Sequence, residues 1–183
     1  MMLPPQGGGL TASEPEGATA QYGPAVVFQS GPMHVSAQGT TGPTGSVTSS
    51  ARVVGYQDDT DPDGDGPGPF LYQDVRSSCA AATGVTATAT IASGIVETKY
   101  DPNTQEPIES QEVPEHPPPG YTVEGTLDHV GDSFRIVFNE QVTNPDGSLT
   151  VNAAHLYLLG PIAIGDVIIG QSICGVRPRP PQP

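Results

Sequence analysis

The chain has 183 residues with 20 acids against 6 bases, and its net charge of −14 makes nucleic acid and anionic membrane surfaces poor partners. Its length allows one buried core, but 23 glycines and 21 prolines interrupt it too often for long helices. It contains no apolar run long enough for a membrane-spanning helix.

The first predicted segment, residues 1–21, is rich in Pro, Gly, Glu and Ala. It reads as a flexible arm with too little apolar surface to order itself. It has neither a basic n-region nor an apolar h-region, so the chain is read as a piece of a longer precursor. A single β domain is expected over 22–176 and a Pro-rich tail over 177–183.

Within the domain, "AVVFQ" and "MHVSAQG" are short and β-rich. "GSVTSSARVVG" places Val47, Ser49, Ala51 and Val53 on one face and Ser46, Thr48, Ser50 and Arg52 on the other, the two-residue period of a half-buried strand. "GVTATATIASGIVETKY" alternates Val85, Ala87, Ala89 and Ile91 with threonines, and Gly94 marks a bulge or bend. The acidic, proline-dense stretch 101–120 reads as a long surface loop, with His116 an exposed member of it.

The last third is the most regular. "YTVEGTLDHV" turns at Gly131–Asp132 into "SFRIVFNEQV", where Phe134, Ile136 and Phe138 share a face. "NPDG" at Asn144–Gly147 has the residues of a type I turn followed by a glycine bulge. In "SLTVNAAHLYLLG" the apolar phase moves from Leu149, Val151 and Ala153 to Ala154, Leu156 and Leu158. This implies a bulge near Ala153 or a strand covered on both faces. "GDVIIGQSIC" closes the domain. About eight or nine short strands separated by turn signals predict an all-β, antiparallel sandwich or barrel-like domain. The basic tail "VRPRPPQP" has polyproline II character and reads as a stiff spacer, with an SH3-type ligand as the alternative.

Two cysteines, Cys79 in "VRSSCAA" and Cys174 in "GQSICGV", sit in strand-like contexts that favour a disulfide between them; two buried free thiols are the alternative. Neither has the CxxC spacing of a metal site or a neighbouring base.

"YQDDTDPDGDGPGPF", Tyr56 to Phe70, concentrates five aspartates in one loop. Asp59, Asp61, Asp63 and Asp65 alternate as in the first half of an EF-hand-type loop, with Gly64 at the turn, so calcium is the candidate ion. The second half departs: Phe70 stands where the closing glutamate belongs, Pro62 interrupts, and no helices flank it. Asp58, Asp74, carbonyls or water would have to complete the shell. The plainer reading is a solvated acidic connector.

Catalytic readings carry less. A triad of Ser133, His129 and Asp128 fails because adjacent strand residues point to opposite faces. His129 and His155 could hold zinc only by facing each other across neighbouring strands. Glu124, Asp128, Asp132 and Glu140 could supply a glycosidase pair, but the chain lacks tryptophan and has only 5% aromatic residues for sugar platforms. No cofactor is expected beyond the calcium candidate.

The strings "TGSVTSSARVVG", "VRSSC", "VEGTLDHVGDSFRIVFNEQVTNPDGSLTVNAAHLYLLG" and "GDVIIGQSICG" resemble, in order, the choice-of-anchor P family of actinobacterial secreted surface proteins. The resemblance implies export and envelope attachment through a variable carboxy-terminal element, and no enzyme activity. It places the protein outside the cell or at its surface. The whole sequence reads as a structural or interaction domain whose strand edges and acidic loops are the contact surfaces, with another copy or an envelope or protein partner as the occupant. A calcium- or glycan-binding module using the 58–65 loop is the alternative.

Overall fold

The computed structural model describes residues 7–22, 25–42, 44–55, 69–101, 103–104, 106–127, 132–161 and 164–175. Among them every regular element is a strand. Chain order is β1 (Gly8–Glu14), β2 (Ala18–Tyr22), β3 (Ala25–Gly39), β4 (Val47–Gly55), β5 (Phe70–Leu71), β6 (Asp74–Ala81) and β7 (Val85–Ala92). β8 (Gly94–Tyr100), β9 (Pro107–Val113), β10 (Tyr121–Thr126), β11 (Ser133–Thr143), β12 (Leu149–Leu159) and β13 (Ile164–Cys174) follow. Three antiparallel sheets result. A front sheet has the order β1-β3-β4-β6-β7 with β2 also on β3, a back sheet β10-β11-β12-β13, and a side sheet β5-β8-β9.

Front and back sheets face each other as a sandwich. β13 lies over β4 and β6, β12 over β6 and β7, while β10 meets β8 of the side sheet. The inward alternation read from the sequence is what fills the space between them: Ala51 and Val53, Ala89 and Ile91, and Phe134, Ile136 and Phe138 are all buried. The chain bends between β7 and β8 at Ser93, beside the expected Gly94, and so passes from the front sheet into the side sheet. The Asn144–Gly147 turn closes as expected. Gly147 N–H donates to Asn144 O (2.9 Å), Asn144 N–H to Ser148 O (2.8 Å), and Gly147 has φ +80°.

Two expectations are corrected. Residues 8–14 and 18–22 of the expected arm are strands β1 and β2, both hydrogen-bonded to β3, from Gly8↔Gly39 to Tyr22↔Ala25. The domain therefore begins earlier than residue 22. Likewise the expected 101–120 loop contains β9, paired with β8 and pinned by Lys99–Glu109 at 3.0 Å. The described side chains of β1 and β9 are almost all exposed. Backbone pairing rather than burial holds them, so no apolar alternation announced them.

The phase shift in β12 belongs to a row that crosses the back sheet. In a regular strand Phe138 and Glu140 would share a face, yet Phe138 lies in the core and Glu140 on the outer surface. Asn139 between them has φ +49°. The registers place Asn139 beside Ala153 and Ala153 beside Gly170, which has φ +65°. Beyond this row every side-chain set swaps sides: Ile169 and Ser172 both point inward, and Gln171 outward to Asn152. Three aligned irregularities thus reset the alternation of three strands together.

Close packing at the side-sheet junction predicts one substitution effect. A Cβ on Gly125 of β10 would lie 2.7 Å from Phe134 Cζ and 2.7 Å from Thr98 O. Because one obstacle is the β8 backbone, Gly125→Ala is expected to cost about 1–3 kcal/mol, read by urea unfolding.

Candidate functional site

The two cysteines meet. Cys79 of β6 and Cys174 of β13 form a disulfide with Cα atoms 5.7 Å apart, joining the front sheet to the back sheet. Around it lies a small apolar cluster of Ala81 and Val151, with Val47, Ala87 and Leu149 against it. Beside it a buried polar pair also spans the sheets, Ser77 Oγ to Ser172 Oγ at 2.6 Å.

The four loop aspartates, Asp59, Asp61, Asp63 and Asp65, with Asp58, lie outside the described residues, as do Asp128 and His129. Asp74, the possible extra calcium ligand, accepts from Arg52 Nε and from Arg76 Nε (2.7 Å). Burial raises its pKa, but the two arginines outweigh that and hold it below the usual carboxylate value. Among the described residues no three His, Cys, Asp or Glu side chains converge as a metal set.

Of the glycosidase candidates, Glu124 and Glu140 lie far apart on the back sheet. Glu124 sits opposite Arg135, and Glu140 is five positions further along β11, opposite Asn152. That is roughly 16 Å of strand, beyond the separation two carboxylates use on one glycosidic bond. Asp132 is buried, its carboxyl packed where a Cβ on Gly160 would fall.

What the structure does assemble is a network on the outer face of the back sheet, centred on Glu140. Tyr157 Oη donates to Glu140 Oε1 (2.6 Å); Asn152 Nδ2 donates to Oε2 (2.7 Å), and His155 Nδ1 lies 2.6 Å from the same oxygen. His155 Nε2 is 3.0 Å from Asp166 Oδ2, so both ring nitrogens face carboxylates. The imidazole stacks on Tyr157 with centroids 3.9 Å apart, and Arg135 covers that ring from 4.9 Å. His155 and Glu140 were read in the sequence as separate residues. Tyr157 and Asp166 went unnoticed because nothing in the sequence shows that the β12–β13 register sets them opposite each other beside His155.

Both oxygens of the Glu140 carboxylate and both nitrogens of the His155 ring have partners within the network. Burial and the bond to Glu140 push the Tyr157 hydroxyl up to about 12, the opposite of what a nucleophile requires. For Glu140, burial raises the pKa, but hydrogen bonds from Tyr157, His155 and Asn152 more than offset it and hold the carboxyl below its ordinary 4.5. A depressed carboxylate stabilises the fold above its unfolded value, and that contribution is lost as pH falls through the folded one. Acidification below about pH 4.5 is therefore expected to lower stability, and Glu140→Gln to flatten that limb in urea melts taken across the acid range.

A groove of about 600 Å³ on the outer face of the front sheet is lined by hydroxyls of Thr11, Ser36, Ser50 and Thr88, together with Arg52, Arg76 and His34. A second, about 380 Å³, runs between β13 and the strands β2, β3 and β4, lined largely by apolar side chains. Comparisons with family models, curated proteins and solved structures give no match to this chain.

Proposed function

We propose that this chain is a non-catalytic, exported β-sandwich that works as a structural and interaction domain at an actinobacterial cell surface. The observation that carries the reading is the Cys79–Cys174 bond between the sheets. Structural disulfides persist in oxidising compartments and are rare in the cytosol. The large negative charge suits an exposed, soluble position. The resemblance to choice-of-anchor P proteins supplies the surface location. Protease shaving of intact producing cells, followed by immunoblotting, tests it: loss of the protein from the surface fraction is expected, and complete protection inside the cytosol would overturn it.

A glycan-binding role has one observation in its favour, the hydroxyl-rich groove holding Arg52 and Arg76. It expects neutral oligosaccharides to bind in titration calorimetry and Arg76→Ala to abolish the heat. Equal heats from the variant would refute it.

A further inference from the structure

The back sheet is narrower than the sheet it faces. Its last strand, β13, packs over β4 and β6, so the front sheet overhangs it by β3 and β1. Val35 of β3 pairs in register with buried Ala51 and shares its inward face, yet it is 39% exposed because nothing described lies above it. Between this overhang and β13 runs the 380 Å³ groove, walled by Phe28, Met33, Val35, Val53 and Ile169.

Among the described residues β13 pairs only with β12. Ser49 Oγ donates to Ile173 O and closes the edge there, and among the described residues no strand pairs with the outer edge of the stretch from Ile164 to Gln171. That stretch carries no lysine, arginine or proline. Its single charge, Asp166, is turned to His155. On the outer face Ile164 and Ile168 are 76% and 43% exposed. Natural edges are blunted by basic residues, prolines or covering segments, and among the described residues only the positive-φ glycines Gly165 and Gly170 interrupt this one.

We infer that the groove is the seat of one additional β-strand, donated by another polypeptide and paired along β13. This rests on the proposed interaction role and names how it is carried out. An added strand at the ordinary spacing of about 4.8 Å from β13 would sit above β3, where its inward side chains meet Val35, Met33 and Phe28. A second copy does not fit by joining β13 to β13. Both front sheets overhang, and that approach drives β3 and β1 of one copy into those of the other. The occupant is thus a single extended segment, free of proline and apolar at every second position. Because the host carries a charge of −14, the segment is neutral or basic.

The test uses a short synthetic peptide of alternating valine and threonine flanked by lysines, added to the whole disulfide-bonded protein. Amide exchange by NMR is expected to show new protection in β13 between residues 164 and 171, with shifts at Met33 and Val35. Val35→Asp puts a charge into the groove at a position exposed enough to leave the fold intact, and is expected to weaken binding roughly ten-fold or more. A peptide with proline at its centre is expected not to bind. The proposal is overturned if the β13 amides remain unprotected at saturating peptide, if Val35→Asp binds equally well, or if β13 is already protected by self-association without peptide. Surface shaving reports separately on export. Absent binding with surface exposure refutes the strand slot alone, and binding without surface exposure refutes export alone.

Discussion

Replacing both Cys79 and Cys174 with alanine is expected to lower the free energy of unfolding by about 4–5 kcal/mol, the largest effect of any change considered. The bond closes a loop with a sequence separation of 95, and releasing a loop of that length returns about that much conformational freedom to the unfolded chain. Packing at this end of the sandwich offers little compensation. The surrounding buried cluster consists of Ala81 and Val151, with Val47, Ala87 and Leu149 only partly buried against it. For a domain of this size the change corresponds to a fall in melting temperature of roughly 10–15 °C. Urea unfolding with and without reductant checks it, and the reduced protein should also unfold with a steeper denaturant dependence because its unfolded state expands further.

Phe138→Ala is expected to cost about 3–5 kcal/mol. Phe138 is wholly buried, meets Phe70 of β5 edge-on at 5.0 Å, and has Tyr121 of β10 at 6.1 Å. Its ring therefore ties the back sheet to the side sheet as well as filling the core. Phe70 in turn touches Tyr72, whose buried hydroxyl has no partner among the described residues and whose pKa is driven upward by burial. With little polar bonding at that corner, the cavity left by Phe138 is not offset locally. Phe138→Leu keeps most of the volume and should cost clearly less. Hydrogen exchange should show β5 and β8 opening before the rest of the fold in the alanine variant.

The parts of this fold that can be read from sequence are those where burial imposes a period. β4, β7 and β11 show it directly, and the displaced phase at Ala153 located the irregular row to within one residue on β12. Its continuation through Asn139 and Gly170 was not readable, because each strand shows only its own slip and the alignment of the three is a matter of register. The Glu140 network was hidden for the same reason: which of Glu140, His155 and Tyr157 share a face depends on where the phase resets. β1 and β9 were missed because polar strands are held by backbone hydrogen bonds that leave no pattern in side-chain type. The disulfide was legible from two strand-like contexts. That it spans the sheets rather than linking neighbours within one is a product of the folded topology. The aspartate loop, the plainest chemical signal in the sequence, lies outside the described residues.

Sulfur locks the two sheets of the sandwich together, and the proposed export puts that bond in an oxidising compartment. Thiol trapping in producing cells tests it most directly: alkylate before reduction, digest, and identify cysteine peptides by mass. Cys79 and Cys174 are expected to escape alkylation and to travel as one linked peptide pair that separates only after reductant is added. Recovery of both cysteines as alkylated, unlinked peptides would contradict it.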